Sequence, residues 1–310
     1  MGIAQSGYAF LTCNTSIGKG KAMLNEKGML VRLSIGQWTA NKKDKAVSNE
    51  VADQHNSDRE MGIYRKALVA KEGIKTVQRA ANDARTFHYE NTLPWGDNGD
   101  RILPAANFTE YQQGMEKYKA IFQAAVMDVI GNFGDMVQDA RARLNGLFNE
   151  MDYPDLYSLE RKYYFRIEIA PIPVSSDFRL SLSHGEESKI KAEIENRLNQ
   201  ATAAAQKDAW ERLYNTVSRY VDTLPKFNPA ATGADRGIFR DSLVTNAIDL
   251  CDLLTRLNIT GDPNLEKMRR EVESKLTVHA PETIRESSAI RDTVTKDAKD
   301  ILSAMSAFMA

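Results

Sequence analysis

Thr109-Glu-Tyr-Gln-Gln-Gly-Met-Glu-Lys-Tyr-Lys-Ala-Ile-Phe-Gln-Ala-Ala-Val-Met-Asp-Val129 decides the fold class. Tyr111, Met115, Tyr118, Phe122, Ala125 and Val129 step by threes and fours, and Phe133, Met136, Ala140, Leu144 and Leu147 carry the spacing on. That is the period of an amphipathic helix. Thr109 to Gln112 reads as a capping box. A helix over 109–149 is about 60 Å long at 1.5 Å per residue. The glycines at 131 and 134 predict a bend, and the sustained spacing predicts a coiled-coil-like seam.

A second such stretch follows. Ser183-His-Gly-Glu186 is a capping box ahead of Ile190, Ile194, Leu198, Ala201, Ala205, Ala209, Leu213, Val217, Tyr220 and Leu224. Its alanines permit close helix packing. Two helices this long most economically return antiparallel. Between them, Tyr163 to Ile169 alternates apolar and polar, and Asp177 to Leu182 reads as a returning strand. With Leu30 to Ile35, which also alternates, they predict a small antiparallel sheet at one end. The fold class is therefore mainly α: an elongated helical bundle with two long antiparallel helices and a small sheet.

The rest of the chain fits around that body. Residues 1–28 read as a tail, with Met23 and Met29 as plausible alternative starts. Asn41 opens a polar helix, and Ser57-Asp-Arg-Glu60 is a capping box that reopens it with Met61, Tyr64 and Leu68 on one face. Asp152-Tyr-Pro154 starts a short helix. Residues 225–237 are a linker, and 238–310 a C-terminal helical region. Within it, Asp262-Pro263 marks a helix start, with Asp as cap and Pro first in the helix.

The 86–108 insert, from Thr86-Phe-His-Tyr-Glu-Asn to Phe108, stands out between helical stretches. It is rich in turn residues and carries His88, Tyr89, Trp95 and Arg101. Its Pro, Gly and Asn fit a structured Ω-type loop. In one reading His88, Tyr89, Trp95 and Arg101 form a stacking and phosphate-contacting surface for single-stranded nucleic acid. In the other, Trp95, Leu103 and Phe108 plug the end of the helical stalk and Arg101 pairs with a carboxylate. Arg179, Lys42 and Lys43 are further candidate contacts, against the plainer reading of solvated side chains.

With 41 basic and 42 acidic residues the formal net charge is −1. That balance argues against a dedicated duplex-DNA binder. Cys13 and Cys251 make no disulfide framework, which fits a reducing compartment, and Cys251 falls on an apolar helical face. No window of about 18 apolar residues predicts a membrane span. His55, His88, His184 and His279 do not pair at a zinc spacing, and there is no Gly-x-Ser-x-Gly elbow. Gly18-Lys-Gly-Lys21 lacks the first glycine and the hydroxyl residue of a phosphate loop. Asp97 and Asp100 could do acid–base chemistry, but Asp-Asn-Gly-Asp is also the composition of a tight turn. No catalytic residue, metal site or cofactor follows from these motifs.

Trp38-Thr-Ala, Lys45, Glu50-Val51, Thr92-Leu-Pro-Trp95, Arg101-Ile-Leu-Pro104, Asp152-Tyr-Pro154, Pro173, Asp177-Phe-Arg179 and Phe239-Arg-Asp-Ser242 together resemble a family of tailed-bacteriophage and prophage proteins, a domain of unknown function. The resemblance covers residues 29 to about 305. It implies a gene neighbourhood with a MoxR-type ring ATPase and a von Willebrand factor A-like protein, hence an accessory role beside a motor or chaperone. It supplies no catalytic residues. The expectation is a non-enzymatic phage interaction or assembly protein in the host cytoplasm, either self-associating or docked on a protein partner. The alternatives are a single-stranded nucleic-acid-binding protein and an enzyme of unrecognised type.

Overall fold

The computed structural model describes residues 24–96, 98–177 and 183–309. Its centre is β1 (Gly28–Gly36), which pairs antiparallel on both sides. Leu30 lies opposite Ile102 and Met29 opposite Leu103 of β5 (Asp100–Pro104). Leu33 lies opposite Ile167 and Ile35 opposite Phe165 of β6 (Tyr164–Ala170). The short β4 (Leu93–Pro94) adds to β5, giving the order β4-β5-β1-β6. Two strands, β4 and β5, thus come from the 86–108 insert, which is part of the sheet rather than a free-standing loop. The alternation of Ile102 and Leu103 onto opposite faces explains this: each side chain has an apolar layer to enter.

Those layers are helical. Downstream of a small hairpin, β2 (Asn41–Lys43) with β3 (Arg65–Ala67), and of α1 (Lys45–Gln54), come α2 (Lys71–Glu90), α3 (Phe108–Gly131) and α4 (Phe133–Leu144). On one face, Val31 and Leu103 pack on Tyr111 and Met115 of α3. Alanines 80 and 81 of α2 let it lie close along Phe122, Val126 and Val129 of α3. A Cβ on Gly114 would overlap the Phe87 ring, so that crossing requires glycine.

The opposite face meets the C-terminal helices. After α5 (Leu156–Glu160) come α6 (His184–Thr223), α7 (Ser242–Leu257), α8 (Pro263–Leu276), α9 (Pro281–Glu286) and α10 (Ser288–Met309). Leu30, Leu93, Trp95 and Ile102 join Ala201, Ala205, Ala209 and Leu213 of α6 in the largest core cluster, with Leu254 and Leu257 of α7. Both predicted starts in this half are realised. The Ser183 hydroxyl accepts from the Glu186 N–H at 3.4 Å while Glu186 accepts from the Ser183 N–H at 3.2 Å. Asp262 accepts from the N–H groups of Asn264 and Leu265.

The molecule is mainly helical with a small antiparallel sheet. The bend expected near Gly131 and Gly134 falls at Asn132, where the 109–149 helix divides into α3 and α4 at 57°. Three expectations are corrected. The long helices are not each other's principal partners: α3 packs on α2, and α6 on α10 and α7, with the sheet between the layers. Residues 57–64 form a turn and β3 follows, because the Ser57 hydroxyl caps nothing and Asp44 caps α1 instead, accepting from the Val47 N–H at 3.2 Å. Thr109 lies inside α3, which starts at Phe108 without a side-chain cap. Residues 178–182 of the expected returning strand lie outside the described residues, and so does the tail as far as Met23. Among the described residues no single helix is long and apolar enough to cross a membrane.

Candidate functional site

A helix ends with carbonyl groups that lack intrahelical partners and carry the negative end of its dipole. At and just beyond the end of α2, two arginines and an asparagine meet that need. Arg212 of α6 donates through Nη1 to the Glu90 carbonyl, and through Nη2 to the carbonyls of Tyr89 at 3.0 Å and Thr92 at 2.9 Å. Its Nε pairs with Asp208 at 2.8 Å. Arg101 of β5 donates to the Thr92 hydroxyl at 2.6 Å and the Thr92 carbonyl at 3.0 Å, and its guanidinium lies 4.8 Å above the Tyr89 ring. Asn107 donates to the Asn91 carbonyl at 2.9 Å and accepts from Arg256 of α7 at 2.9 Å. One knot therefore ties α2, β5, α3, α6 and α7.

His88 lies inside it, 3% exposed, with Nδ1 2.8 Å from the Tyr111 hydroxyl. Burial, and then the positive charge of Arg101, push its imidazole down to about 4, so it is neutral at pH 7. Burial raises the Tyr111 hydroxyl above its ordinary range. Trp95 is buried in the adjacent core. Of the residues expected to meet a ligand, His88, Tyr89 and Arg101 are brought together and Trp95 lies beside them. Only Tyr89, 55% exposed, presents much of its side chain to solvent. Asp100 accepts from Arg32 at 2.8 Å, while Asp97 and Arg179 lie outside the described residues. Burial pushes the Cys251 thiol up to about 11, which suits a packed side chain rather than a nucleophile.

A groove of about 720 Å³ opens beside the knot. Tyr89 and Glu90 form one wall, Asn215 and Arg219 of α6 a second, and Asn246 and Asp249 of α7 a third. Of these residues only Tyr89 was singled out by sequence. Arg212, Asn215 and Arg219, like Asn246, Asp249, Leu253 and Arg256, step by threes and fours, so each set shares one helix face. The pattern reveals the faces but not that they oppose each other.

Lys42 and Lys43 are elsewhere, on β2. Next to them Lys66 of β3 is 6% exposed, an unusual place for an ammonium group. Its Nζ reaches Asp152 at 2.7 Å, the Leu147 carbonyl at 2.8 Å and Asp44 at 3.1 Å. Lys42 pairs with the other oxygen of Asp152 at 2.8 Å, whereas Lys43 is exposed. Burial works against the Lys66 charge, but the bonds to Asp152 and Asp44 outweigh it and hold its pKa above the ordinary value. Burial would likewise raise Asp152, and Lys42 with Lys66 instead hold it down. Three acceptors match the three ammonium donors. This node pins the β2–β3 hairpin to the turn after α4. Both pinned segments carry apolar side chains outward: Met61 (84% exposed) and Ile63 on one, Met151 (85% exposed), Leu156 and Tyr157 on the other.

Among the described residues no group of three or more His, Cys, Asp or Glu could hold a metal ion. Comparison with protein-family models, with curated proteins and with solved structures finds no match to this chain.

Proposed function

We propose that the chain is a non-enzymatic interaction and assembly module of a tailed phage or prophage, working in the host cytoplasm. It self-associates or docks on a protein partner, such as a ring ATPase complex, through the apolar end formed by the β2–β3 hairpin and the segment around α5. The body that carries this end is elongated along α6, whose 40 residues span about 60 Å.

The observation that supports this reading is the exposure of Met61 and Met151 on segments locked together by buried Lys66. Burying an ammonium group with two carboxylates adds little net stability, and such pairs are best attested as devices that fix one arrangement. Here the segments so fixed carry exposed apolar side chains, and where such side chains form a contiguous patch they mark an interaction surface. Methionines suit such a surface because they are flexible and polarizable.

The rival reading, single-stranded nucleic acid at Tyr89 and the adjacent groove, has less support. Arg101 and Arg212 already donate to Thr92 and to carbonyls at the end of α2. Arginines 212, 219 and 256 in the groove lining are matched by Glu90, Asp249 and Asp252. A polyanion site needs a basic excess.

Sedimentation velocity and partner capture test the proposal. The double variant Met61→Glu/Met151→Glu should lose self-association, or lose the partner retained by the wild type, while its circular dichroism stays unchanged. Association and capture that survive both charges would refute it. A salt-dependent shift of labelled oligonucleotide, lost in Tyr89→Ala, would favour the rival reading.

A further inference from the structure

Asn145 joins the end of α4 to the turn whose Leu147 carbonyl accepts from Lys66. Its backbone stands at φ 46° and ψ −116°, the conformation that type II′ turns reserve for Gly or Asn. At a tetrahedral Cα, Cβ lies about 120° from the backbone nitrogen around the Cα–C bond. At this ψ the Asn145 Cβ and the Gly146 nitrogen are therefore nearly eclipsed. Those two atoms, with Cα, the main-chain carbonyl carbon and Cγ, are the five members of a succinimide ring. Rotation about Cα–Cβ alone brings Cγ to the nitrogen. We propose that Asn145–Gly146 is a self-modification site, preset by the fold for cyclisation and conversion to aspartate or isoaspartate. In the first step the Gly146 nitrogen loses its proton to water and bonds to Cγ, and the side-chain amide nitrogen takes up a proton and leaves as ammonia. In the second, water opens the ring: attack at Cγ gives aspartate, and attack at the main-chain carbonyl gives isoaspartate. The inference does not depend on what the apolar end binds.

The surroundings leave the reaction open. Asn145 and Gly146 are exposed, and a Cβ added to Gly146 would meet nothing within 4 Å. Among the described residues no hydrogen bond holds the Asn145 side-chain amide. The chain carries a second Asn-Gly pair, Asn98–Gly99, which serves as an internal contrast. There the amide is held: Asn98 Nδ2 donates to Asp100 at 2.9 Å, and Oδ1 accepts from the Asp100 N–H at 3.3 Å. Conversion at 145 also reaches the Lys66 node. Isoaspartate routes the main chain through the former side chain, adding one methylene before Gly146. The Asn145 carbonyl, which accepts from the Phe148 N–H at 3.0 Å, becomes a carboxylate outside the main chain. That rebuilds the turn and moves the Leu147 carbonyl, which together with Asp44 and Asp152 accepts from Lys66. The modification therefore loosens the tie between the β2–β3 hairpin and the turn after α4.

Peptide mapping by mass spectrometry tests the site in the full chain, aged in mildly alkaline buffer with and without guanidinium chloride. In the folded chain Asn145 should convert at least fivefold faster than Asn98. In denaturant, where only the shared Asn-Gly composition remains, the two rates should match. Equal rates in the folded chain, or an Asn145 that reacts more slowly folded than unfolded, would overturn the proposal. Gly146→Ala places a methyl group beside the attacking nitrogen and finds open space in the fold. It should slow conversion at 145 several-fold and leave Asn98 unchanged; undiminished conversion at 145 counts against ring closure. Hydrogen exchange reads the consequence. Amides of residues 41–43 and 65–67 should exchange at least twofold faster in aged wild type than in fresh protein, and equally in aged and fresh Gly146→Ala. A hairpin that exchanges unchanged in converted protein would overturn the link to Lys66.

Discussion

The knot at the end of α2 and the node at Lys66 are built alike and face opposite ways. Each takes long cationic side chains out of water and satisfies them with carbonyls and carboxylates. At the knot the apolar neighbours, Trp95, Leu93 and Ile102, turn inward and join the sheet to α6. At the node the apolar neighbours Met61, Met151 and Tyr157 turn outward. The same polar chemistry therefore holds the two halves of the chain together in one place and displays a surface in the other. An aromatic-rich insert with His, Trp and Arg reads either as a ligand platform or as a structural plug, and here Leu93, Trp95, Ile102 and Leu103 are internal. The hairpin region reads as a solvated polar helix, yet it carries the exposed apolar face.

That contrast can be broken most forcefully at Lys66. Lys66→Ala strands Asp44 and Asp152 without their shared cation and should cost about 3–5 kcal/mol in urea unfolding. Lys66→Met with Asp152→Asn removes charge from both sides and should recover much of the loss. If the single variant costs less than about 1 kcal/mol, the node is not what fixes the hairpin.

At the knot, pH is the sharper tool. His88 has its folded pKa depressed from 6.5 to about 4. The stability tied to its neutral form is thus fully present above about pH 6.5. It is lost as the pH falls toward 4, and below that the loss is complete. The difference in unfolding free energy between wild type and His88→Leu should shrink by about 3 kcal/mol from pH 7 to pH 4. A difference independent of pH would mean that His88 is not held neutral by burial.

Arg212→Ala should cost about 1–3 kcal/mol by uncapping the carbonyls of Tyr89, Glu90 and Thr92. Hydrogen exchange should quicken at the end of α2 and leave the hairpin unaffected. Arg212→Lys should recover only part of this, because an ammonium group cannot reproduce the planar fork of donors. Smallest of all is the effect of Met61→Glu/Met151→Glu on stability, within about 0.5 kcal/mol by thermal melting. A large destabilisation there would show that these methionines support the fold rather than display a surface.

Much of the helical content was legible in residue spacing. Phe122 and Val129 of α3, Ala201 to Leu213 of α6, and the caps at Ser183 and Asp262 all appear where periodicity and capping chemistry put them. The misreadings have a shared cause. Ser57-Asp-Arg-Glu60 has the composition of a capping box, but the segment after it pairs as β3 with β2 and buries Lys66. Tertiary pairing outweighed local propensity there. For the candidate site, Tyr89 and Arg101 could be singled out as unusual. Arg212 and Arg256, which lie more than 100 residues further along the chain, carry no local mark that they will meet the end of α2.

The sequence by itself determined most of the segments that become helices, though not the stretch after Ser57, and which of their faces are apolar, and that β1 and β6 alternate. Those properties depend on neighbours three or four residues apart in helices and two apart in strands. Only the tertiary structure decided that the 86–108 insert completes the sheet, that His88 and Trp95 are internal, and that Met61 and Met151 are exposed on segments tied together by Lys66. Each of these rests on contacts between residues distant in sequence: Leu30 with Ile102, Arg212 with Tyr89, and Lys66 with Asp152. Such contacts form because burying apolar layers on both faces of β1 leaves polar groups that only particular distant partners can satisfy.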